Sequence, residues 1–235
     1  MLPVAILAGG LGTRLGAVTE ARPKILVDIG GRPFAEHQLD WLRAQHVEHV
    51  VYCLGHLGEQ VVTALGDGTR WAMRFDYVMD GPVLLGTGGA LRQALPTLGE
   101  RFFVLYGDSL LTCDLADVLR VFEASGKACL MTVFANNHQW DRSNVAFLNG
   151  EIAEYNKHRQ SAKMRHIDYG LGIISARALA GYPADQPLDL ARVYEDQLRI
   201  GQLAGYDVAT RFYEIGSPAG LEETRAFVKE QTSRG

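Results

Sequence analysis

Short strand-like and helix-like stretches alternate through the first half of the chain. Apolar runs typical of buried strands occupy 3–8, 49–54, 74–79, 101–106 and 128–134. Apolar residues at helical spacing, or helix-favouring composition, mark 34–45, 56–65, 88–95 and 114–125. Because strands and helices that alternate over short connections pack as a helix-covered parallel sheet, this pattern predicts an α/β fold with a mostly parallel central sheet.

The second half has a different pattern. Two short strands at 145–148 and 152–155 flank Asn149-Gly150, which predicts a β-hairpin with a two-residue turn. A further strand is predicted at 167–175, and helices at 189–200 and 218–231, with a frayed polar end over 231–235. No internal repeat or linker interrupts the chain. We therefore expect one domain over 1–235, with a core at 1–135 and a smaller part with a β lobe at 136–235.

Composition excludes several classes of function. The chain has 235 residues and a net charge of −4, so it lacks the basic surface of a nucleic-acid binder. The first apolar run is short and is followed at once by glycines, unlike a signal peptide, and no run is long enough to span a membrane. Scattered cysteines without a CxxC pair indicate reduced thiols, which predicts a cytoplasmic protein. The histidines show no zinc-binding spacing.

A glycine-rich segment follows the first predicted strand. It is Leu-Ala-Gly-Gly-Leu-Gly-Thr-Arg-Leu at 7–15, with Arg-Pro-Lys at 22–24. Glycines beyond a strand let backbone N–H groups approach an anion closely, and Arg14 and Lys24 would add the cations that a polyphosphate needs. The segment lacks the third glycine of the dinucleotide fingerprint, and the chain has no Walker A string. The sequence therefore predicts a polyphosphate site at the end of the first strand.

Further motifs follow in a fixed order: Leu-Gly-Thr-Gly-Gly-Ala at 85–90, Tyr-Gly-Asp at 106–108, and Phe-Tyr-Glu-Ile-Gly-Ser-Pro at 212–218. Together with the first segment, they resemble the signature of the sugar-1-phosphate nucleotidyltransferases over nearly the whole chain. The resemblance implies a three-layer α/β/α, Rossmann-like nucleotide-diphospho-sugar transferase fold with a small additional β lobe. It also implies a Mg²⁺-dependent enzyme, monomeric or homodimeric, that converts NTP and a sugar 1-phosphate to an NDP-sugar and pyrophosphate.

The resemblance also assigns roles to single residues. It implies that 1–135 binds nucleotide and that 136–235 binds the sugar phosphate. The catalytic residues would be Arg14, Lys24 and Asp108, and the metal ligands Asp108 and Glu214. The sugar phosphate would lie against Asn144, Lys157, Asp168 and Gly170. The nucleotide would be held by Leu7, Ala8, Gly9, Gly10, Gly12, Thr13, Arg14, Lys24, Gly86, Thr87, Gly88 and Gly89.

Three positions depart from the family pattern. Glu214 stands where an aspartate is usual, which lengthens the arm that would reach the metal, directly or through water. Asn156 stands where a glutamate often precedes the lysine. Asp168 replaces an asparagine, so a mixed donor and acceptor becomes a pure acceptor, which suggests contact with sugar hydroxyl donors.

The chemistry is consistent with these residue types. Displacement at the α-phosphorus needs charge neutralisation and alignment, and the attacking phosphate oxygen is already anionic. A general base is therefore not required, and Arg14, Lys24, Lys157 and Mg²⁺ would supply the positive charge.

The sequence leaves the base and the sugar open. Among short family members, the chain looks most like the D-glycero-D-manno-heptose 1-phosphate guanylyltransferases, which use GTP and serve cell-surface polysaccharide synthesis. The alternatives are an N-acetylmuramate or hexose 1-phosphate uridylyltransferase and a cytidylyltransferase. Two alternatives come from other classes of protein, a non-catalytic nucleotide-sugar sensor and a nicotinamide dehydrogenase. Intact Arg14, Lys24 and Asp108 argue against the sensor, and the missing third glycine argues against the dehydrogenase.

Overall fold

A seven-stranded sheet forms the centre of the computed structural model, which describes residues 1–10, 15–16, 19–81, 84–183 and 186–234. The strands of the molecule are β1 (Val4–Ala8), β2 (Asp28–Ile29), β3 (Arg32–Pro33), β4 (His49–Leu54), β5 (Arg74–Met79), β6 (Arg101–Tyr106), β7 (Ser109–Leu110), β8 (Cys129–Phe134), β9 (Val145–Leu148), β10 (Glu151–Tyr155), β11 (Ile167–Ser175), β12 (Leu203–Asp207) and β13 (Tyr213–Glu214). The helices are α1 (Phe34–Ala44), α2 (Gly58–Leu65), α3 (Gly86–Leu98), α4 (Leu115–Ser125), α5 (Leu190–Arg199) and α6 (Pro218–Arg234).

The central sheet has the strand order β12-β8-β11-β6-β1-β4-β5. Strand β11 runs antiparallel to both of its neighbours, β6 and β8, and every other pair in this sheet is parallel. The predicted α/β class with a mostly parallel sheet is confirmed.

Successive side chains of the central strands enter two separate cores. In β1, Val4 and Ile6 face a core shared with α1, α2, α4 and α6, whereas Ala5 faces a core shared with α3 and α5. In β6, Phe103 and Phe102 divide in the same way. Because side chains of a strand alternate between the two faces, continuous apolar runs are what a sheet covered on both faces requires. The fold is therefore three-layered.

The hairpin at the start of the second half forms as predicted. Strands β9 and β10 pair antiparallel, and both turn residues have positive φ, 53° for Asn149 and 83° for Gly150. A type I′ turn needs positive φ at both central positions, which Asn-Gly adopts with little strain. The hairpin packs beside β12 and α5 and forms the small β lobe.

Several elements differ from the sequence-based expectation, among them the two-residue strands β2, β3, β7 and β13, which were not predicted. Helix α3 begins at Gly86 rather than at 88, and it continues through Pro96 to Leu98. Strand β12 was missed, because its short sequence includes glycine and aspartate and is only partly buried. Helix α6 continues to Arg234, beyond the predicted end at 231, and the Thr232 hydroxyl donates to the Val228 carbonyl oxygen at 3.0 Å.

The order of the strands creates a crevice. From β1 the chain moves outward to β4 and β5, and then returns to place β6 on the other side of β1. In open α/β sheets, ligands bind beyond the carboxyl ends of the strands at such a reversal. Among the described residues, no helix has both the length and the apolar character needed to cross a bilayer.

The buried sheet centre predicts a large loss of stability on truncation. Phe103 in β6 is fully buried, so Phe103→Ala should lower the free energy of unfolding by about 3–5 kcal/mol. Leu148 in β9 is 54% exposed, and Leu148→Ala serves as the matched control with little expected change. Urea denaturation of the three proteins measures both effects, and similar losses in the two variants would contradict this description of the core.

Candidate active site

A cavity of about 970 Å³ lies at the carboxyl ends of β1 and β6. It extends from Leu7–Gly10, after β1, to the loop after β10 and the start of α6. A space of this size is at the upper end of ordinary ligand pockets. It therefore has room for two reactants side by side.

The glycines after β1 and β6 allow the strand ends to approach closely. A Cβ atom on Gly107 would lie 2.7 Å from the carbonyl oxygen of Leu7, which accepts a hydrogen bond from the Gly107 N–H at 3.0 Å. A Cβ on Gly9 would lie 3.1 Å from the Gly55 nitrogen, whereas one on Gly10 would meet nothing within 4 Å. Gly9 and Gly107 are thus required by backbone packing, and Gly10 presents open backbone to the cavity. The predicted ligands Gly12, Thr13 and Arg14 lie outside the described residues.

The structure brings Lys24 and Asp108 together across 84 residues of sequence. The Lys24 Nζ donates to Asp108 Oδ2 at 3.0 Å, and both side chains are largely buried at the cavity wall. Lys24 begins a short 3-10 turn after Pro23, and Asp108 lies two residues beyond the end of β6. The Asp108 carbonyl oxygen also accepts from the Ile215 N–H at 2.9 Å. The aspartate is therefore held on a rigid part of the fold.

Glu214 lies beside this pair but is engaged elsewhere. Strand β13 pairs with β7, so that Glu214 is opposite Ser109. Its carboxylate accepts hydrogen bonds from the Gly216 N–H, from the Ser217 N–H at 3.1 Å and from the Ser217 hydroxyl at 2.5 Å. These donors lie at the start of α6, where backbone N–H groups lack helical partners. In this conformation Glu214 caps α6, and direct metal coordination would compete with these hydrogen bonds.

The four residues of the Gly-Thr-Gly-Gly segment at 86–89 have two different roles. Gly86 and Thr87 line the cavity. Gly88 and Gly89 are buried, and their N–H groups donate to the carbonyl oxygen of Leu188 at 2.8 and 3.1 Å. A Cβ on Gly88 would lie 2.8 Å from the Leu188 side chain. The structure therefore brings Gly86 and Thr87 to the candidate site, and it gives Gly88 and Gly89 a packing role.

The four residues predicted to contact the sugar phosphate all line the same cavity: Asn144, Lys157, Asp168 and Gly170. Asp168 accepts from the Tyr106 hydroxyl and from the Gly170 N–H, both at 3.0 Å. Asn144 accepts from the Asp168 N–H at 3.0 Å, so its side chain holds this strand in place. Burial raises the pKa of the Asp168 carboxyl to about 6, although the hydrogen bonds from Gly170 and Tyr106 oppose the rise. Asp168 is therefore a desolvated acceptor directed by its neighbours.

Asp189, which pairs with Lys157, is a site residue that the sequence pattern did not indicate. The Lys157 Nζ donates to Asp189 Oδ2 at 2.8 Å, and both side chains are exposed. Burial acts to raise the pKa of Asp189, but the hydrogen bonds from Lys157 and the Ala191 N–H outweigh it and the pKa is lowered. No local pattern near 189 indicates a contact 32 residues away.

Asp80, at the end of β5, is a second cavity residue that the sequence-based prediction did not include. Its carboxyl group lines the cavity and accepts from the Leu85 N–H. Burial raises its pKa, and it has no ion-pair partner among the described residues. Leu84, 44% exposed, lines the same end of the cavity. An acidic residue just beyond the end of a predicted strand, as at Asp108, was a signal that could have identified Asp80.

An aromatic and cationic stack forms the outer wall. The Arg211 guanidinium lies 4.4 Å from the ring centre of Trp140 and 4.6 Å from that of Tyr213. It also donates to Glu223 at 2.5 Å. Stacking and pairing together immobilise this arginine. It therefore provides a rigid boundary to the cavity.

The described lining of the cavity is more acidic than basic. Among these residues no group of three or more acidic, histidine or cysteine side chains is arranged to hold a metal ion. The acidic side chains are Asp80, Asp108, Asp141, Asp168, Asp189, Glu214 and Glu223, and the basic ones are Lys24, Arg142, Lys157 and Arg211. Anionic ligands would therefore bind here more readily with an accompanying cation.

Comparisons with known proteins agree with this geometry. Residues 4–180 match the family described as the MobA-like NTP transferase domain. N-acetylmuramate alpha-1-phosphate uridylyltransferase from Neisseria meningitidis serogroup B is 26% identical over 229 residues, covering 94% of this chain and 96% of that protein. UTP–glucose-1-phosphate uridylyltransferase from Synechocystis is 26% identical over 201 residues, covering 79% of this chain and 52% of that protein, so the chain spans about half the length of this relative.

The fold has close structural counterparts. The crystal structure of HddC from Yersinia pseudotuberculosis complexed with GMP-PN superposes with a TM-score of 0.80 at 22% identity, covering 97% of this chain and 100% of that one. At this identity the likeness concerns the fold. The family match contains β1, the glycine-rich segments, Asp108 and β11. The chain therefore belongs to the MobA-like NTP transferase family, and it is a nucleotidyltransferase.

Proposed function

We propose that the chain transfers GMP from GTP to D-glycero-D-manno-heptose 1-phosphate, releasing pyrophosphate and forming GDP-heptose for cell-surface polysaccharide. The observation that carries the sugar 1-phosphate class is a single cavity lined by the glycines at the end of β1, by the Lys24–Asp108 pair and by Lys157 and Asp168. The proposed location is the cytoplasm, which keeps thiols such as the buried Cys53, Cys113 and Cys129 reduced.

The proposed chemistry is one in-line displacement. An anionic oxygen of the sugar phosphate forms a bond to the α-phosphorus, and the bond from that phosphorus to the β-phosphate oxygen breaks, with pyrophosphate leaving with the electron pair. Lys24 and Lys157, which both line the cavity, would each neutralise phosphate charge. Two reactants held in this alignment gain about 7–11 kcal/mol over free encounter.

The donor set at the cavity fits Mg²⁺. Mg²⁺ binds through one or two carboxylates and completes its shell with substrate phosphate oxygens and water. Asp108 would hold the ion. Glu214, whose strand β13 pairs with β7 next to Asp108, would hold the ion directly or through water after release from α6. Bound there, the ion would neutralise phosphate charge that the acidic lining cannot. These residues would position and bind, without serving as nucleophiles.

Asp80 and Leu84 support GTP as the nucleotide. Guanine presents two adjacent donors, the N1–H and the 2-amino group, which a carboxylate can accept together. Uracil presents one N–H between two carbonyl oxygens, which a carboxylate repels. The exposed Leu84 side chain offers an apolar surface for a base beside the unpaired Asp80 carboxyl. The complex of HddC with GMP-PN is a fold-level parallel for this choice.

A second candidate is uridylyl transfer to N-acetylmuramate 1-phosphate. The N. meningitidis relative, matched along nearly its full length, favours it. Arg142 lines the cavity and has no ion-pair partner among the described residues, which would suit the lactyl carboxylate of that sugar. Pyrophosphate release measured for the common NTPs against heptose, N-acetylmuramate and hexose 1-phosphates separates the candidates. Ligand binding without turnover for every pair would indicate a sensor instead.

Asp108→Asn tests the proposed cation site. The substitution removes the negative charge while keeping the shape of the side chain, so Mg²⁺-dependent turnover should fall by about 100-fold or more. The melting temperature should stay close to that of the wild type. Steady-state pyrophosphate release, with Asp117→Asn on the exposed surface of α4 as control, measures the effect. Near-normal turnover in Asp108→Asn would remove its metal-binding role.

Asp80→Asn tests whether the Asp80 carboxylate recognises guanine. An asparagine offers one acceptor and one donor group, so the pairing with both guanine donors is lost. We expect kcat/KM for GTP to fall roughly 10- to 100-fold, with a smaller change for UTP. Competition between the two nucleotides measures the preference. Equal changes for both would show that Asp80 does not discriminate between bases.

Asp168→Asn tests a predicted pH dependence. Because burial raises the pKa of Asp168 from 3.8 to about 6, its contribution to stability is full below pH 4 and is lost as the pH rises through 6. Relative to the wild type, the variant should therefore gain about 3 kcal/mol of unfolding free energy between pH 4 and pH 7. Over the same interval, the wild-type KM for the sugar phosphate should fall as the carboxylate forms and accepts hydroxyl donors, and the KM of the variant should stay flat. Parallel curves in both measurements would contradict the assignment.

A further inference from the structure

The segment from Leu188 to Leu190 is docked on the start of helix α3. The Leu188 N–H donates to the Leu85 carbonyl oxygen at 2.8 Å, and the Leu188 carbonyl oxygen accepts from Gly88 and Gly89. The contact is too close for side chains, since a Cβ on Gly86 would lie 2.8 Å from the Leu188 carbonyl oxygen. Residues from the second half of the chain therefore fix the helix that borders the candidate nucleotide side.

Asp189 stands at the centre of this junction. Its Oδ1 accepts from the Ala191 N–H at 3.0 Å and from the Thr87 hydroxyl at 3.2 Å, which makes it the N-cap of α5 and a partner of α3. The Thr87 hydroxyl oxygen accepts in turn from the Leu190 N–H at 2.8 Å. The second carboxylate oxygen remains for Lys157, at 2.8 Å. Asp189 thus has a capping role at one oxygen and holds a cation at the other.

This arrangement constrains the position of the Lys157 ammonium. Lys157 lies in the loop after β10, and about half of its side chain is exposed, so without a partner it would sample many rotamers. An ammonium has three N–H donors, and Asp189 occupies one, which leaves the others for a ligand phosphate. The ion pair therefore keeps a flexible cation at the cavity without consuming its capacity to bind.

We propose that Asp189 is a positioning residue that holds Lys157 at the sugar-phosphate site and ties it, through Thr87, to the helix on the nucleotide side. The inference rests on the proposed sugar 1-phosphate transfer. Asp189 acts through Lys157 and need not touch either reactant. Its removal should accordingly affect one substrate and spare the other.

Asp189→Asn separates the two roles of this side chain. Asparagine is as good an N-cap as aspartate and can accept from Ala191, but it lacks the charge that holds Lys157. We expect KM for the sugar 1-phosphate to rise roughly 3- to 10-fold, the modest effect typical of an exposed ion pair. KM for the nucleotide and the melting temperature should stay at wild-type values.

Asp114→Asn is the matched control. Asp114 caps α4 through the Ala116 N–H at 2.7 Å and does not line the cavity, so its replacement should leave both KM values unchanged. In a Lys157→Met background, Asp189→Asn should add no further rise in KM, because the group that it positions is gone. Additive effects in the double variant would overturn the inference.

Other outcomes are equally decisive. An unchanged or lower KM for the sugar phosphate in Asp189→Asn would show that Asp189 is indifferent to, or competes for, Lys157. A drop in melting temperature with both KM values raised would show a structural role only. If the wild type itself releases no pyrophosphate with any pair of substrates, both the proposed function and this inference are wrong. If the wild type turns over and Asp189→Asn has an unchanged KM for the sugar 1-phosphate, only the inference about Asp189 is overturned.

Discussion

The closeness of β1 and β6 at their carboxyl ends determines the form of the site. Gly107 donates to the Leu7 carbonyl oxygen at 3.0 Å, and there is no room for a side chain at this point. The same edge sets Gly9-Gly10 beside Asp108, and Ile215 then bonds to the Asp108 carbonyl oxygen from the other side. A backbone contact that only glycine permits therefore joins the first strand, the catalytic candidate and the C-terminal helix.

The charges around the cavity are arranged in pairs. Lys24 is paired with Asp108, Lys157 with Asp189 and Arg211 with Glu223. In these three pairs a carboxylate limits the motion of the cation and lowers the cost of keeping it in a partly buried cleft. Among the described lining residues acidic side chains outnumber basic ones, so a bound polyphosphate would be favoured by added positive charge. In the proposed function Mg²⁺ supplies that charge.

The two glycine-rich segments show why a motif does not by itself define a role. The sequence predicts that the glycines of both segments bind ligand, and Gly10 does present open backbone to the cavity. Gly88 and Gly89 instead accommodate Leu188, which is about a hundred residues away in sequence and bonds to both of their N–H groups. A glycine indicates a close approach, but only the fold reveals whether a ligand or another part of the chain makes it.

The sequence by itself determined the layered α/β fold, the bounds of most strands and helices, the Asn149-Gly150 hairpin and the candidates Lys24, Asp108 and Lys157. The fold, the hairpin, Lys24 and Asp108 follow from local periodicity, turn chemistry, the glycine-rich segment and the ends of predicted strands, which can be read within a short window. Lys157 follows from the resemblance to the family. Only the tertiary structure decided the place of β12, the capping of α6 by Glu214, and the junction of Asp189 with Thr87 and Lys157. The physical reason is that these contacts join segments whose meeting depends on the order of strands in the sheet, and that order is set by packing of the whole chain.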